Sequence, residues 1–187
     1  MVGSDPPAPA SLTTPESQIW QASGFGHLRW EKTVRIGAGE RHWRWASEQV
    51  LRWGIKTRSG FSVLPALPVA VGQRPVIRVD LPGARILEPV EVISVVETTQ
   101  RVGFAYRTLA GHPVSGEECF VLEQRTGGNF LTIRSLTRPA DVQPWRGLFP
   151  LLRAAQLIAR YRYFKALRMP GSSRASGSST SGSTNSR

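Results

Sequence analysis

Short alternating segments separated by turn residues fill the sequence between residues 60 and 138, and they constrain the fold most. In each segment, apolar side chains recur at every second position, which is the period of a strand with one buried face. The intervals between the segments are too short to hold the helices that connect parallel strands. The sequence therefore predicts a sheet whose neighbouring strands run antiparallel.

Two pairs of segments predict hairpins. Pro89–Thr98 leads through a tight reversal into a strand that begins at Val102. Glu118–Gln124 leads through a Gly-Gly-Asn turn into Phe130–Arg138. Further strands are predicted at 27–36, 61–64 and 74–81.

A first helix is predicted over Glu40–Trp53. Trp43, Ala46, Val50 and Trp53 fall at helical spacing on one side, where they are expected to pack in the core. Gly54 follows the last of them, at the position of a C-terminal cap.

A longer amphipathic helix is predicted over Pro144–Leu167. It needs an apolar surface to lie against, and the concave face of the sheet is the natural one. The sequence thus predicts an α+β fold, a curved antiparallel sheet wrapped around a long C-terminal helix. The apolar stripe of this helix comprises Leu148, Leu151, Leu152, Ala155, Ile158 and Ala159, and Arg146, Arg153 and Arg160 recur on the other side.

Composition indicates one globular domain. Of 187 residues, 40% are hydrophobic and 20% charged, which suits a single core of ordinary size. Residues 1–23 and 170–187 are rich in Pro, Ser, Thr or Gly without periodicity, so we expect them to be disordered on either side of a domain at 24–169. With one cysteine, no internal disulfide can form, and with no visible secretory signal a cytoplasmic location is expected.

The net charge of +11 suggests an anionic partner. Nucleic acid or an anionic membrane surface could contact Arg146, Arg153 and Arg160, which lie in a stretch without acidic residues. The alternative is that these arginines only keep the surface soluble.

One segment resembles a known family. GFAYRTLAGHPVSGEECF, at Gly103–Phe120, is similar to the signature G-F-A-Y-G-T-L-x-G-H-P-x-x-G-E-E of the family called domain of unknown function nineteen-ninety. The resemblance extends over about residues 24–167, and it departs from the signature at Arg107, where Gly is expected, and at Ala110, where Pro is usual. It implies a helix-grip fold of the START/Bet v 1 type, whose members bind apolar ligands between sheet and helix, but no particular activity.

The favoured function is therefore binding of an apolar small molecule or lipid, without a cofactor and without a metal. Polar anchors are expected at the mouth of the pocket, at Tyr106, His112, Glu117 and Glu118, although alternation allows only one of the two glutamates to point inward. The expected apolar wall consists of Trp43, Trp53, Phe104, Tyr106 and Phe120, with Leu152, Ile158 or Phe149 from the last helix.

An enzyme of cyclase or hydrolase type is the less favoured alternative. His112 and Glu117 stand five residues apart across a glycine-bounded loop, so the carboxylate could orient the imidazole for acid-base catalysis. The same groups could instead have a structural role and stabilise the loop by hydrogen bonds. His27, His42 and His112 are scattered along the chain, which argues against a metal site.

Overall fold

The fold is one sheet with helices on its concave face. The computed structural model describes residues 10–21, 26–81, 83–139 and 145–168, with backbone alone at 81, 84, 146 and 149. The elements of the described chain are, in order, β1 Leu28–Gly37, α1 Glu40–Leu51, α2 Gly54–Thr57, β2 Ser62–Leu64, β3 Val76–Leu81, β4 Ala84–Glu97, β5 Arg101–Thr108, β6 Val114–Arg125, β7 Gly128–Pro139 and α3 Trp145–Ala166.

The seven strands pair antiparallel throughout, in the order β1-β7-β6-β5-β4-β3-β2. Strands β2 to β7 follow one another as a meander, and β1, the first strand in sequence, pairs with β7, the last. Both predicted hairpins are present, as β4–β5 and β6–β7. The predicted fold class, a curved antiparallel sheet with a long C-terminal helix, is confirmed.

The first helix ends earlier than its apolar pattern predicted. It stops at Leu51, Trp53 adopts a left-handed conformation with φ of 59°, and Gly54 begins α2 rather than capping α1. A large residue seldom takes this conformation. Here its indole is 2% exposed and packs edge-on against Phe104, 4.8 Å between centroids. Core packing therefore sets the turn, and the turn brings Lys56 of α2 to the inner face of the sheet.

Helix α3 packs against the sheet only near its C-terminal end. Tyr163, Phe164 and Leu167 are buried, whereas Leu151 and Ile158 are 67% and 60% exposed. The expectation that the whole apolar stripe contacts the sheet was wrong, because the inner side of the N-terminal turns borders a cavity instead. No helix in the described residues is long and apolar enough to cross a membrane.

A segment that we call the N-terminal strap, residues 10–21, lies across the convex face of the sheet, although disorder was predicted for it. Its order comes from hydrogen bonds and not from an apolar periodicity, so its composition gave no sign of it. Arg134 of β7, 1% exposed, donates to the carbonyl oxygens of Thr13, Thr14, Ser17 and Gln18 at 2.6–3.0 Å. The other residues for which disorder was predicted, 1–9, 22–23 and 170–187, lie outside the described residues.

Candidate ligand-binding cavity

A cavity of about 310 Å³ lies between the inner face of the sheet and α3. Strands β3 to β7, α2 and α3 all contribute to its wall. The apolar part includes Phe61, Val79, Ile86, Leu152 and Ala159, and the polar part includes Lys56, Glu88, Tyr106, His112, Glu118 and Tyr163.

The polar end is organised around Lys56, which is 2% exposed. Its Nζ donates to Glu118 Oε2 at 2.8 Å and to the Tyr163 hydroxyl at 2.7 Å. Four aromatic rings surround the ammonium group, with centroids 4.7–5.4 Å away: Phe61, Tyr106, Phe120 and Tyr163. The ammonium group is thus removed from water, but the carboxylate, the hydroxyl and the faces of the aromatic rings compensate its charge.

Glu118 reaches the lysine because of the sheet register. It lies directly opposite Tyr106 across the β5–β6 pair, and the Tyr106 hydroxyl donates to the same Oε2 that Lys56 contacts. Burial acts to raise the pKa of Glu118, but the charge and hydrogen bond of Lys56, together with the hydrogen bond from Tyr106, hold the pKa below its usual range. Burial alone would lower the pKa of Lys56, whereas Glu118, with smaller contributions from Tyr106, Tyr163 and Glu88, raises it well above its ordinary value. The two groups are therefore a charged pair at neutral pH.

Two further titratable groups border the cavity. Burial raises the pKa of Glu88 in β4, and this carboxyl has no hydrogen bond or ion pair among the described residues. Burial, aided by the charge of Lys56, lowers the pKa of His112 to about 4. The neutral His112 ring accepts a hydrogen bond from the Val114 N–H at Nδ1, 3.1 Å, so its proton resides on Nε2.

The structure separates the residues that were predicted to form the site. Tyr106, His112, Glu118, Leu152 and Ile158 line the cavity, and their role in binding stays a prediction. The remaining aromatics predicted for the wall are packed in the solid core, because α1 and α2 cover that part of the sheet; they are Trp43, Trp53, Phe104 and Phe120. Phe149 lies outside the residues with described side chains.

The expected pairing of His112 with Glu117 was wrong. Glu117 borders the cavity, but its carboxylate lies on the convex face and accepts hydrogen bonds from the N–H groups of Leu12 and Thr13, at 2.9 and 2.8 Å. The hydroxyls of Ser11 and Thr13 bind the same carboxylate. Glu117 thus holds the N-terminal strap, and Glu118 is the glutamate that faces inward.

Sequence reasoning missed Lys56, Glu88 and Tyr163. One signal for a buried cation was present: Glu118 shares its strand face with Phe120 and Leu122, and a carboxylate among apolar side chains needs a counter-charge. Nothing local indicated which cation it would be.

The three arginines predicted to form a basic row, Arg146, Arg153 and Arg160, differ in their surroundings. Arg153 is exposed, whereas Arg160 stacks over Trp30 at 4.0 Å, and the side chain of Arg146 lies outside those described.

Within the described ranges, no group of three or more His, Cys, Asp or Glu side chains is placed to hold a metal ion.

Solved structures share the fold at low sequence identity. A hypothetical protein of Helicobacter pylori superposes with a TM-score of 0.53 at 10% identity, over 75% of this chain and 84% of that chain. The di-domain ARO/CYC BexL from the BE-7585A biosynthetic pathway gives 0.50 at 12% identity, over 80% of this chain and 51% of that chain. Ara h 8.0201 gives 0.49 at 11% identity, over 76% and 99%. At these identities the likeness concerns the fold alone.

The sequence itself carries the family assignment. No protein of curated function matches it. The family model described as Domain of unknown function (DUF1990) matches residues 13–166, which include the N-terminal strap from Thr13 onward, the whole sheet and α3. The match covers most of the chain, and the sheet and helix described above are those of helix-grip proteins. The chain therefore belongs to the DUF1990 family, and its fold is a helix-grip fold, a curved antiparallel sheet with a long C-terminal helix.

Proposed function

We propose that this protein binds an apolar small molecule that carries a hydrogen-bonding polar group at one end. The observation that supports the proposal is a cavity of about 310 Å³ whose wall combines apolar side chains with a cluster of polar ones around Lys56. This volume lies at the small end of the range found for ligand pockets, about 300–1,000 Å³.

The apolar wall provides the affinity in this proposal. Side chains from β3, β4 and α3 border a space that the fold itself leaves unfilled, and a ligand there would remove their surfaces from water. Burial of apolar area contributes roughly 25 cal/mol per Å², so even a small hydrocarbon body gains several kcal/mol.

The polar end provides the orientation. The Lys56–Glu118 pair fixes the charges there, so the ligand need not compensate for a bare ion. His112 has its Nε2–H to offer to a ligand carbonyl or hydroxyl oxygen, and the carboxyl of Glu88 can bind a hydroxyl group. A hydrocarbon with a hydroxyl or carbonyl at one end fits both requirements.

Filling the cavity tests the proposal. Ala159 lines the cavity on α3, and Ala154 is exposed on the other side of the same helix. Fluorescence titration with the neutral apolar probe N-phenyl-1-naphthylamine should show saturable binding to the wild-type protein. Ala159→Phe should weaken it by about tenfold or more, because losing a few methylene-sized contacts has that effect.

Ala154→Phe is the matched control and should bind the probe as the wild type does. Both variants must keep the wild-type circular dichroism spectrum and melting temperature. Absence of saturable binding to the wild-type protein, or equal binding by the two variants, would contradict the proposal. Organic extraction and native mass spectrometry of protein from its own host would then identify the natural ligand.

A further inference from the structure

The outer face of α3 is apolar although it faces water. Leu151, Leu157, Ile158 and Tyr161 are 67%, 62%, 60% and 61% exposed, and the exposed Ala154 lies between them. These residues recur at intervals of three and four, so they form one continuous surface on the helix. We call this surface the outer face of α3.

A continuous exposed apolar surface on a helix indicates a partner. Single exposed apolar residues are ordinary, but grouped ones mark binding surfaces. The inner side of α3 is already used, since Leu152 and Ala159 border the cavity and Tyr163 packs in the core. The partner of the outer face must therefore come from outside the described fold.

The charge of the helix restricts the chemistry of that partner. The sequence from 145 to 168 contains six basic residues and no acidic one. Arg153, Arg162, Lys165 and Arg168 are exposed. A second copy of the chain would bring two such basic helices together, and the like charges would oppose association. A nucleic acid would neutralise the charge but leave the leucines in water.

We propose that the outer face of α3 docks on the surface of an anionic lipid bilayer. In this arrangement the helix lies in the plane of the interface, with Leu151, Leu157 and Ile158 among the upper acyl chains and the basic side chains among the lipid phosphates. The proposal goes beyond ligand binding and does not depend on it, because Leu151, Leu157 and Tyr161 do not border the cavity; Ile158 alone belongs to both surfaces.

Vesicle sedimentation with the full chain tests the apolar contribution. We expect binding to phosphatidylcholine vesicles that contain phosphatidylglycerol and much weaker binding to phosphatidylcholine alone. The double variant Leu151→Gln/Leu157→Gln should weaken partitioning by about tenfold or more. Leu67→Gln/Leu87→Gln, at side chains 53% and 50% exposed outside α3, is the matched control and should partition as the wild type does.

A second pair of variants tests the charge. Arg153→Gln/Lys165→Gln should weaken partitioning into the anionic vesicles by roughly fivefold for each charge removed, and added salt should reduce the difference. Arg44→Gln/Arg52→Gln removes one charge from α1 and one from the residue that follows it, where the side chains are 75% and 62% exposed, and should have little effect.

Three results would overturn the proposal. The first is absence of binding to the anionic vesicles. The second is binding that the leucine variant leaves unchanged, which would indicate a phosphate polymer or another purely ionic partner, and a parallel titration with single-stranded DNA would identify it. The third is a concentration-dependent dimer in analytical ultracentrifugation that the leucine variant abolishes while lipid binding persists, which would assign the outer face of α3 to a second copy.

Discussion

Replacing Lys56 with methionine removes a cation from the interior and leaves its partner in place. The side chain of Lys56 is 3% exposed and that of Glu118 is 18% exposed. Methionine has nearly the same length, and its thioether suits the four aromatic rings around the ammonium position. The packing should therefore survive, and the effect should come from the uncompensated Glu118 carboxylate.

The structure sets the expected magnitude. Breaking a buried ion pair by removing one partner costs about 3–5 kcal/mol. Glu118 keeps the Tyr106 hydrogen bond and some access to the cavity, so we expect the lower end, about 3 kcal/mol, for Lys56→Met. Glu118→Gln leaves the more deeply buried charge, that of Lys56, without its partner, so we expect the upper end, about 5 kcal/mol.

The double variant decides whether the pair itself is responsible. Lys56→Met/Glu118→Gln leaves no buried charge, so it should be more stable than the sum of the single changes predicts, with a coupling energy of about 3 kcal/mol from urea unfolding curves. If a single variant fails to fold, recovery of folding in the double variant gives the same answer. A coupling energy below about 0.5 kcal/mol would refute the reasoning.

Three further predictions concern other parts of the fold. The pKa of His112 is lowered from 6.5 to about 4, so the stability that the neutral ring contributes is present above pH 6.5 and is lost as the pH falls through about 4. Across that window the unfolding free energy of the wild type should drop by roughly 3 kcal/mol more than that of the variant His112→Gln. The glutamine can still accept the hydrogen bond from the Val114 N–H, so the comparison isolates the titration of the ring. Arg134→Met should cost about 3 kcal/mol and expose the N-terminal strap to limited proteolysis, because the carbonyl oxygens of the strap lose their buried donor. Gly116 has a φ of 149°, and a Cβ added there would overlap a carbonyl oxygen of β7. Gly116→Ala should therefore lower the free energy of unfolding by several times the ~1 kcal/mol expected for Gly72→Ala, whose Cβ would meet no atom within 4 Å. Denaturant unfolding curves of the two variants test this difference.

The predicted parts of the fold were those that depend on near neighbours in the chain. Alternation in β5 and β6 placed Phe104, Tyr106 and Phe120 on one face, and the structure has all three in one core cluster. The turns of the two hairpins were recognised from their own residues. The amphipathic C-terminal helix indicated the overall arrangement of sheet and helix, and the resemblance to the family implied the same arrangement.

The candidate site was predicted only in part. Alternation implied that just one of Glu117 and Glu118 faces inward, but the choice depends on Lys56, 62 residues from Glu118 in sequence, and on the N-terminal strap, more than 100 residues from Glu117. Neither partner has a local pattern that connects it to the glutamates.

By itself, the sequence determined the strands, the hairpins and the presence of two amphipathic helices, because apolar periodicity and turn residues act over a few positions. Only the tertiary structure decided which charges are buried together, which aromatics fill the core and which border the cavity, and which face of α3 remains in water. The physical reason is that burial and ion pairing depend on distances between residues far apart in the chain. The pattern that predicts a helix contains apolar residues on more than one side and does not say which side the sheet will cover.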